Sequence, residues 1–244
     1  MKPKIAIPEP CSYDPEYSAR TLPPYLHAIE QSGGEPVIIP LNLTPEEMAR
    51  RITGCSGVLL PGSKADVDPQ KYNEPRAPET ARADSMREAA EELLLQDAYN
   101  LRKPILGICY GLQSLNVWRS GTLVQHLHGE VQHAAKRGDE FVHSVQVDPT
   151  SMFQREILRS NTRVFPVNST HHQAAESVGD GLRTAAVCAE DGTIEAVEGT
   201  QPDHPVLAVQ WHPERSFDRD TPSRKLFEWL VSNAAHWHER EQNA

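Results

Sequence analysis

Residues 103–116, KPILGICYGLQSLN, constrain the fold of this chain more than any other stretch. The apolar run 105–108 follows Pro104 and reads as a short buried strand. A sharp turn is expected at Cys109 and a helix from about Gly111. Gly107-x-Cys109-x-Gly111 is the sulfur counterpart of the Gly-x-Ser-x-Gly elbow, in which a nucleophile sits on a tight strand-to-helix turn. Such a turn strains the backbone, and its neighbours must be small where chain crosses chain. The helix that follows would aim its positive end at the sulfur and favour thiolate over thiol. A buried structural cysteine followed by a loop glycine remains the alternative until a partner base is found.

The elements around this elbow alternate. A first strand is expected over 4–8 and a helix from about Ala19, whose Leu22, Tyr25, Leu26 and Ile29 form one apolar stripe. Pro23 and Pro24 fit only in its first turn, and Gly33-Gly34 stops it. A second strand follows over 37–40. Thr44-Pro45-Glu46-Glu47 is a capping box that opens a short helix ending at Gly54. The wholly apolar run 57–60 is a third strand, buried on both faces. This β-α-β-α-β order predicts an α/β fold, a central mostly parallel sheet flanked by helices, flavodoxin-like and in one domain over 1–244.

Residues 61–83 form a long polar loop at the C-terminal end of a strand, where ligands bind in open α/β sheets. A helix is expected over 85–100, burying Met86, Ala90, Leu93, Leu94 and Leu101. Further strands are expected over 141–147, 163–167 and 206–211, with a hairpin of 182–189 and 193–198 around Asp191-Gly192. Thr221-Pro222 opens a last helix carrying Leu226, Phe227, Trp229 and Leu230, with a frayed tail from His236. No metal is expected. Asp66 and Asp68 lack further ligands at usable spacing, and His126 and His128 read as surface or loop histidines without a third ligand. His133 and His143 follow in more polar sequence.

Charge narrows the partners. A net charge of −10 argues against nucleic acid or an anionic membrane. Cys11, Cys55, Cys109 and Cys188 are far apart, which argues against a disulfide framework and for a reducing, cytoplasmic setting. Residues 1–10 do not resemble a signal peptide, and no apolar run approaches membrane-spanning length.

Residues 206–214, VLAVQWHPE, supply the base. In an extended chain, residues two apart face the same way, so His212 and Glu214 can stand together at the end of a buried strand. The carboxylate would orient the imidazole, and the imidazole would deprotonate Cys109, the arrangement of covalent acyl transfer. Gly107-Ile108-Cys109-Tyr110-Gly111-Leu112-Gln113 together with Gln210-Trp211-His212-Pro213-Glu214 resembles the class I glutamine amidotransferase superfamily. The resemblance is closer to its γ-glutamyl-γ-aminobutyrate hydrolase-like branch. Leu60-Pro61-Gly62-Ser63 with the 66–72 segment DVDPQKY, Arg82-x-Asp84, and Val167-Asn168-Ser169-x-His171-His172-Gln173 all point there. Tyr110 stands where that branch most often has Arg, and Ser63 where it often has a second Gly.

The resemblance implies a Cys109–His212–Glu214 triad that cleaves a γ-glutamyl amide through a thioester and releases glutamate, with no metal or organic cofactor. It implies an oxyanion hole of backbone N–H groups at Gly62, Ser63 and Tyr110, and substrate contacts from Gln113, His171 and His172. His171 reads equally as a buried hydrogen-bonding histidine. The partner is then a small-molecule γ-glutamyl substrate, and a homodimer is plausible because two-fold dimers are the commonest oligomers. Two other readings stay open: a glutaminase that feeds ammonia to a synthetase partner, and a non-catalytic binder of γ-glutamyl compounds.

Overall fold

The computed structural model describes residues 2–135 and 141–242. Its first half alternates as expected: β1 (Lys4–Pro8), α1 (Pro15–Gln31), β2 (Glu35–Ile39), α2 (Pro45–Thr53), β3 (Gly57–Leu60), α3 (Ser85–Leu101), β4 (Ile105–Ile108) and α4 (Tyr110–Trp118). The second half is richer in strands: β5 (Leu123–Val124), β6 (Phe141–Val147), β7 (Val164–Asn168), β8 (Ala174–Ala175), β9 (Leu182–Cys188), β10 (Ile194–Gly199) and β11 (Val206–Val209), closed by α5 (Thr221–Gln242).

One sheet runs β2-β1-β3-β4-β11-β10-β9-β6-β7, and the small β5–β8 pair joins it at β10. From β2 to β11 every pairing is parallel. Beyond β11 the pairings along that path are antiparallel, forming a wing. The parallel strands are buried on both faces because helices cover both. Leu22, Ile29, Phe227 and Leu230 of α1 and α5 pack on Ile7, Leu59, Leu106 and Val209. Ile52, Leu94 and Leu112 of α2, α3 and α4 pack on Val58, Leu60, Ile105 and Ala208. Among the described residues, no helix is long and apolar enough to cross a membrane.

Local chemistry accounts for most element ends. The capping box of α2 is fully formed: Glu47 N–H donates to Thr44 Oγ1 at 3.3 Å and Thr44 N–H to Glu47 Oε2 at 2.9 Å. Three expectations need correction. Helix α1 starts at Pro15, capped by Asp14, so Pro23 and Pro24 lie inside it and not in its first turn. The buried face of Leu22, Tyr25, Ala28 and Ile29 holds the helix through them. Met86 and Leu101 on α3 are 43 % exposed, and the buried stripe instead takes Arg87, Glu91 and Ala98. The last helix does not fray at His236. It continues to Gln242, anchored by Trp237 Nε1–H donating to Leu101 O at 2.7 Å.

Candidate active site

Three strand ends converge. β3, β4 and β11 are adjacent, with Leu60 registered on Gly107 and Ile108 on Val209. Gly62, Cys109 and His212, each just past its strand, therefore leave the same edge of the sheet. Cys109 has φ 52° and ψ −106°, a backbone region that non-glycine residues rarely occupy and that costs on the order of 1–3 kcal/mol. The crossings around it tolerate only hydrogen. A β-carbon on Gly111 would land on the Leu60 carbonyl and 2.7 Å from Leu60 Cβ; one on Gly107 would lie 2.8 Å from the Gly111 carbonyl oxygen.

His212 is clamped at its backbone. Its N–H donates to Asn168 Oδ1 at 3.0 Å, and Asn168 Nδ2–H donates to its carbonyl at 2.9 Å. Its Nδ1 lies 2.8 Å from Glu214 Oε1, so the carboxylate holds the Nδ1–H tautomer and leaves Nε2 bare. The pair does not meet along an extended strand. β11 stops at Val209, and Pro213–Arg215 form a short 3-10 turn that folds Glu214 back onto the ring. A β-carbon on Gly62 would lie 3.0 Å from His212 Cε1 and 3.7 Å from Cys109 Cβ. Both side chains thus stand close against the same glycine.

Burial dominates the electrostatics. It pushes the Cys109 thiol up to about 12, against the charge of Arg215, while Glu214 adds to the rise. Burial also lowers His212 below the usual imidazole value, and Glu214 only partly offsets this. Burial raises the Glu214 carboxyl, but its hydrogen bond to His212 and the nearby Arg215 charge keep it below the ordinary range. The resting pair is therefore a thiol beside a neutral imidazole. Desolvation outweighs the helix end, which by itself would favour thiolate.

The remaining candidates have definite places. Gly62 N–H donates to Tyr25 Oη at 3.1 Å, so that amide is already engaged. Tyr110 opens α4, and its backbone N–H acts on the sulfur, lowering its affinity for a proton. The Tyr110 ring is buried, with the Arg87 guanidinium 5.1 Å from its centroid. Gln113 is buried and donates to Gln173 O at 3.0 Å and Gln210 Oε1 at 3.3 Å, tying the elbow helix to the 168–173 segment. His171 is buried, with Nδ1 2.9 Å from Gln173 O. His172 is half-buried and meets Asp66 of the 61–83 loop at 3.1 Å, which latches that loop to the 168–173 segment. Asp66 also accepts from Ala81 N–H at 2.7 Å, and Asp68 caps a short turn through Gln70 N–H at 3.1 Å.

Sequence reasoning did not single out Tyr25, Arg87 or Arg215 for the site. The Arg215 guanidinium stands beside the carboxylate that holds His212, with Nε 3.5 Å from Glu214 Oε1. Arg87 is fully buried and donates to Pro10 O at 3.0 Å and Pro61 O at 2.7 Å, pinning the exits of β1 and β3. No local pattern marks any of the three.

The peptidase C26 family model matches residues 10–214. A relative from Escherichia coli (strain K12), named gamma-glutamyl-gamma-aminobutyrate hydrolase PuuD, is 33 % identical over 223 residues, covering 87 % of this chain and 85 % of the relative. A Mycobacterium tuberculosis relative named for glutamine amidotransferase is 36 % identical over 222 residues, covering 90 % of this chain and 69 % of the relative. A solved Thermoplasma acidophilum structure, named for GMP synthase, superposes with a TM-score of 0.70 at 17 % identity, covering 99 % of this chain and 98 % of that one.

Proposed function

The chain belongs to the peptidase C26 family, a hydrolytic family of class I glutamine amidotransferase fold, and from that premise we propose that it cleaves γ-glutamyl amides of small amines, γ-glutamyl-γ-aminobutyrate among them. The observation that carries this reading is the convergence on Gly62 of Cys109, on a strained elbow, and of His212, held by Glu214.

In this scheme Cys109 Sγ attacks the side-chain carbonyl carbon while His212 Nε2 takes the thiol proton. The oxyanion is held by backbone N–H groups of Ser63 and Tyr110. Gly62 shapes the turn through its bond to Tyr25. Each such donor is worth on the order of a hundredfold or more in rate. The imidazolium returns its proton to the amine nitrogen, the C–N bond breaks, and a γ-glutamyl thioester remains on Cys109. Water then attacks the thioester, giving its proton to His212; the C–S bond breaks to release glutamate, and His212 returns that proton to the Cys109 sulfur. Glu214 holds the ring and stabilises its charged form in both halves.

The test is glutamate release by the purified protein alone, with γ-glutamyl-γ-aminobutyrate, other γ-glutamyl amides and glutamine as substrates. Turnover of a γ-glutamyl amide well above glutamine, abolished in Cys109→Ala, is expected. Turnover that survives Cys109→Ala would sink the scheme. Activity on glutamine only would replace it with a glutaminase feeding a synthetase.

A further inference from the structure

Four buried side chains unused by this chemistry meet around one carboxylate oxygen on the antiparallel wing. Glu195 Oε1, on β10, lies 3.4 Å from His133 Nδ1, 3.5 Å from His143 Nε2 and 3.4 Å from His171 Nε2. Glu195 is 0 % exposed and the three histidines are 4–6 % exposed. None of these approaches has hydrogen-bond geometry: all three ring nitrogens and both Glu195 oxygens are without a hydrogen-bond partner. So many convergent buried polar atoms left unsatisfied call for a specific explanation.

The tautomers sharpen the problem. His171 Nδ1 is 2.9 Å from the Gln173 carbonyl oxygen, which only accepts, so Nδ1 carries the proton. His133 Nε2 is 2.9 Å from Asp191 Oδ2, so Nε2 carries it there. In neutral rings this leaves bare lone pairs on His171 Nε2 and His133 Nδ1, each 3.4 Å from the Glu195 oxygen. Lone pairs crowded that closely in a buried cluster repel, and a positive charge among them is required.

The spacing distinguishes a metal cation from extra ring protons. An N⁺–H···O⁻ contact would close to about 2.7–2.9 Å. Four donors set tetrahedrally around zinc at about 2.0–2.1 Å stand about 3.3–3.4 Å apart. The three nitrogen–oxygen distances of 3.4–3.5 Å lie close to the second figure, and all four donor atoms fall within 4.8 Å of one another. The Asp191 carboxylate and the Gln173 carbonyl are the outer partners that orient metal-bound imidazoles.

We propose that His133 Nδ1, His143 Nε2, His171 Nε2 and Glu195 Oε1 form a closed site for one divalent transition-metal ion, with zinc the best fit to a nitrogen-rich four-donor set. Four protein donors leave no open position, so the ion is structural and takes no part in amide cleavage. It ties β6, β10 and the loop after β5 to the 168–173 segment, whose Asn168 clamps the His212 backbone. The site thereby braces the base from behind.

The test is the metal content of the full-length, tag-free protein purified without chelator. About one zinc per chain, retained through gel filtration and kept in Cys109→Ala, is expected. Cobalt(II) in its place should give the intense visible absorption of a tetrahedral site. His143→Ala should lose the ion, and chelation of the unmutated protein should lower Tm, with recovery on adding zinc. Folded protein that arrives metal-free and takes up neither zinc nor cobalt in equilibrium dialysis would overturn the proposal. So would a His143→Ala protein that keeps a full equivalent of zinc.

Discussion

Burial of Cys109 and His212 sets how the pair must work. With the thiol pushed up to about 12, a preformed thiolate is not the resting state, and in the proposed scheme the proton moves to His212 as the sulfur attacks. General base action needs the neutral ring. Burial lowers the imidazole below its usual 6.5, so the ring stays neutral as pH falls past that point. The acid limb of kcat/KM is therefore expected below 6.5, with activity lost as pH drops through the lowered value. Glu214 opposes that lowering, so Glu214→Gln should move the limb further to acid. It should also cut kcat by on the order of a hundredfold or more, because the tautomer is no longer held. A pH–rate profile of both proteins checks this; an unmoved limb would mean that His212 is not the titrating base.

The strand–turn–helix unit from β4 to α4 is built on two glycines that have no room for a methyl group. Gly111→Ala would press a β-carbon onto the Leu60 carbonyl, a backbone group that cannot swing aside. The elbow must then open or β3 must shift, at a cost of about 1–3 kcal/mol or more. The expected result is a lowered Tm together with lost activity, read by thermal melting and the glutamate assay. The same substitution at Gly54, where the nearest atom to a new β-carbon is 3.6 Å away, should leave both nearly unchanged.

Across the whole molecule, Arg87 holds the site's frame. Its Nε–H donates to Glu91 Oε1 at 3.0 Å, and its other N–H groups reach the carbonyls at the ends of β1 and β3. Arg87→Met would strand Glu91 in the interior and free those carbonyls, destabilising the fold by about 3–5 kcal/mol. At about 2–4 °C per kcal/mol for a chain of this size, Tm should fall by on the order of ten degrees. Adding Glu91→Leu should recover part of the loss, because the uncompensated carboxyl disappears, whereas the carbonyl contacts stay broken. A double substitution no more stable than Arg87→Met alone would place the cost in those carbonyls and not in the ion pair.

The elements and the first candidate residues were legible because their determinants lie within a few positions of one another. β1, β3 and β4 follow their apolar runs residue for residue, and the capping box forms as written. The Cys109 elbow and the His212–Glu214 pair rest on steric rules and hydrogen bonds that act over a turn or two. Where longer contacts compete, the local reading failed: packing carries α1 through Pro23 and Pro24, and Trp237 extends α5 past His236. His133, His143, His171 and Glu195 come from four separate segments, and nothing near any of them in the chain announces the others. Their meeting depends on antiparallel pairing in the wing, as the engagement of Gly62 by Tyr25 depends on the packing of α1. Short-range sterics and capping wrote the parts into the chain; long-range pairing and burial decided which side chains face one another and in which charge state.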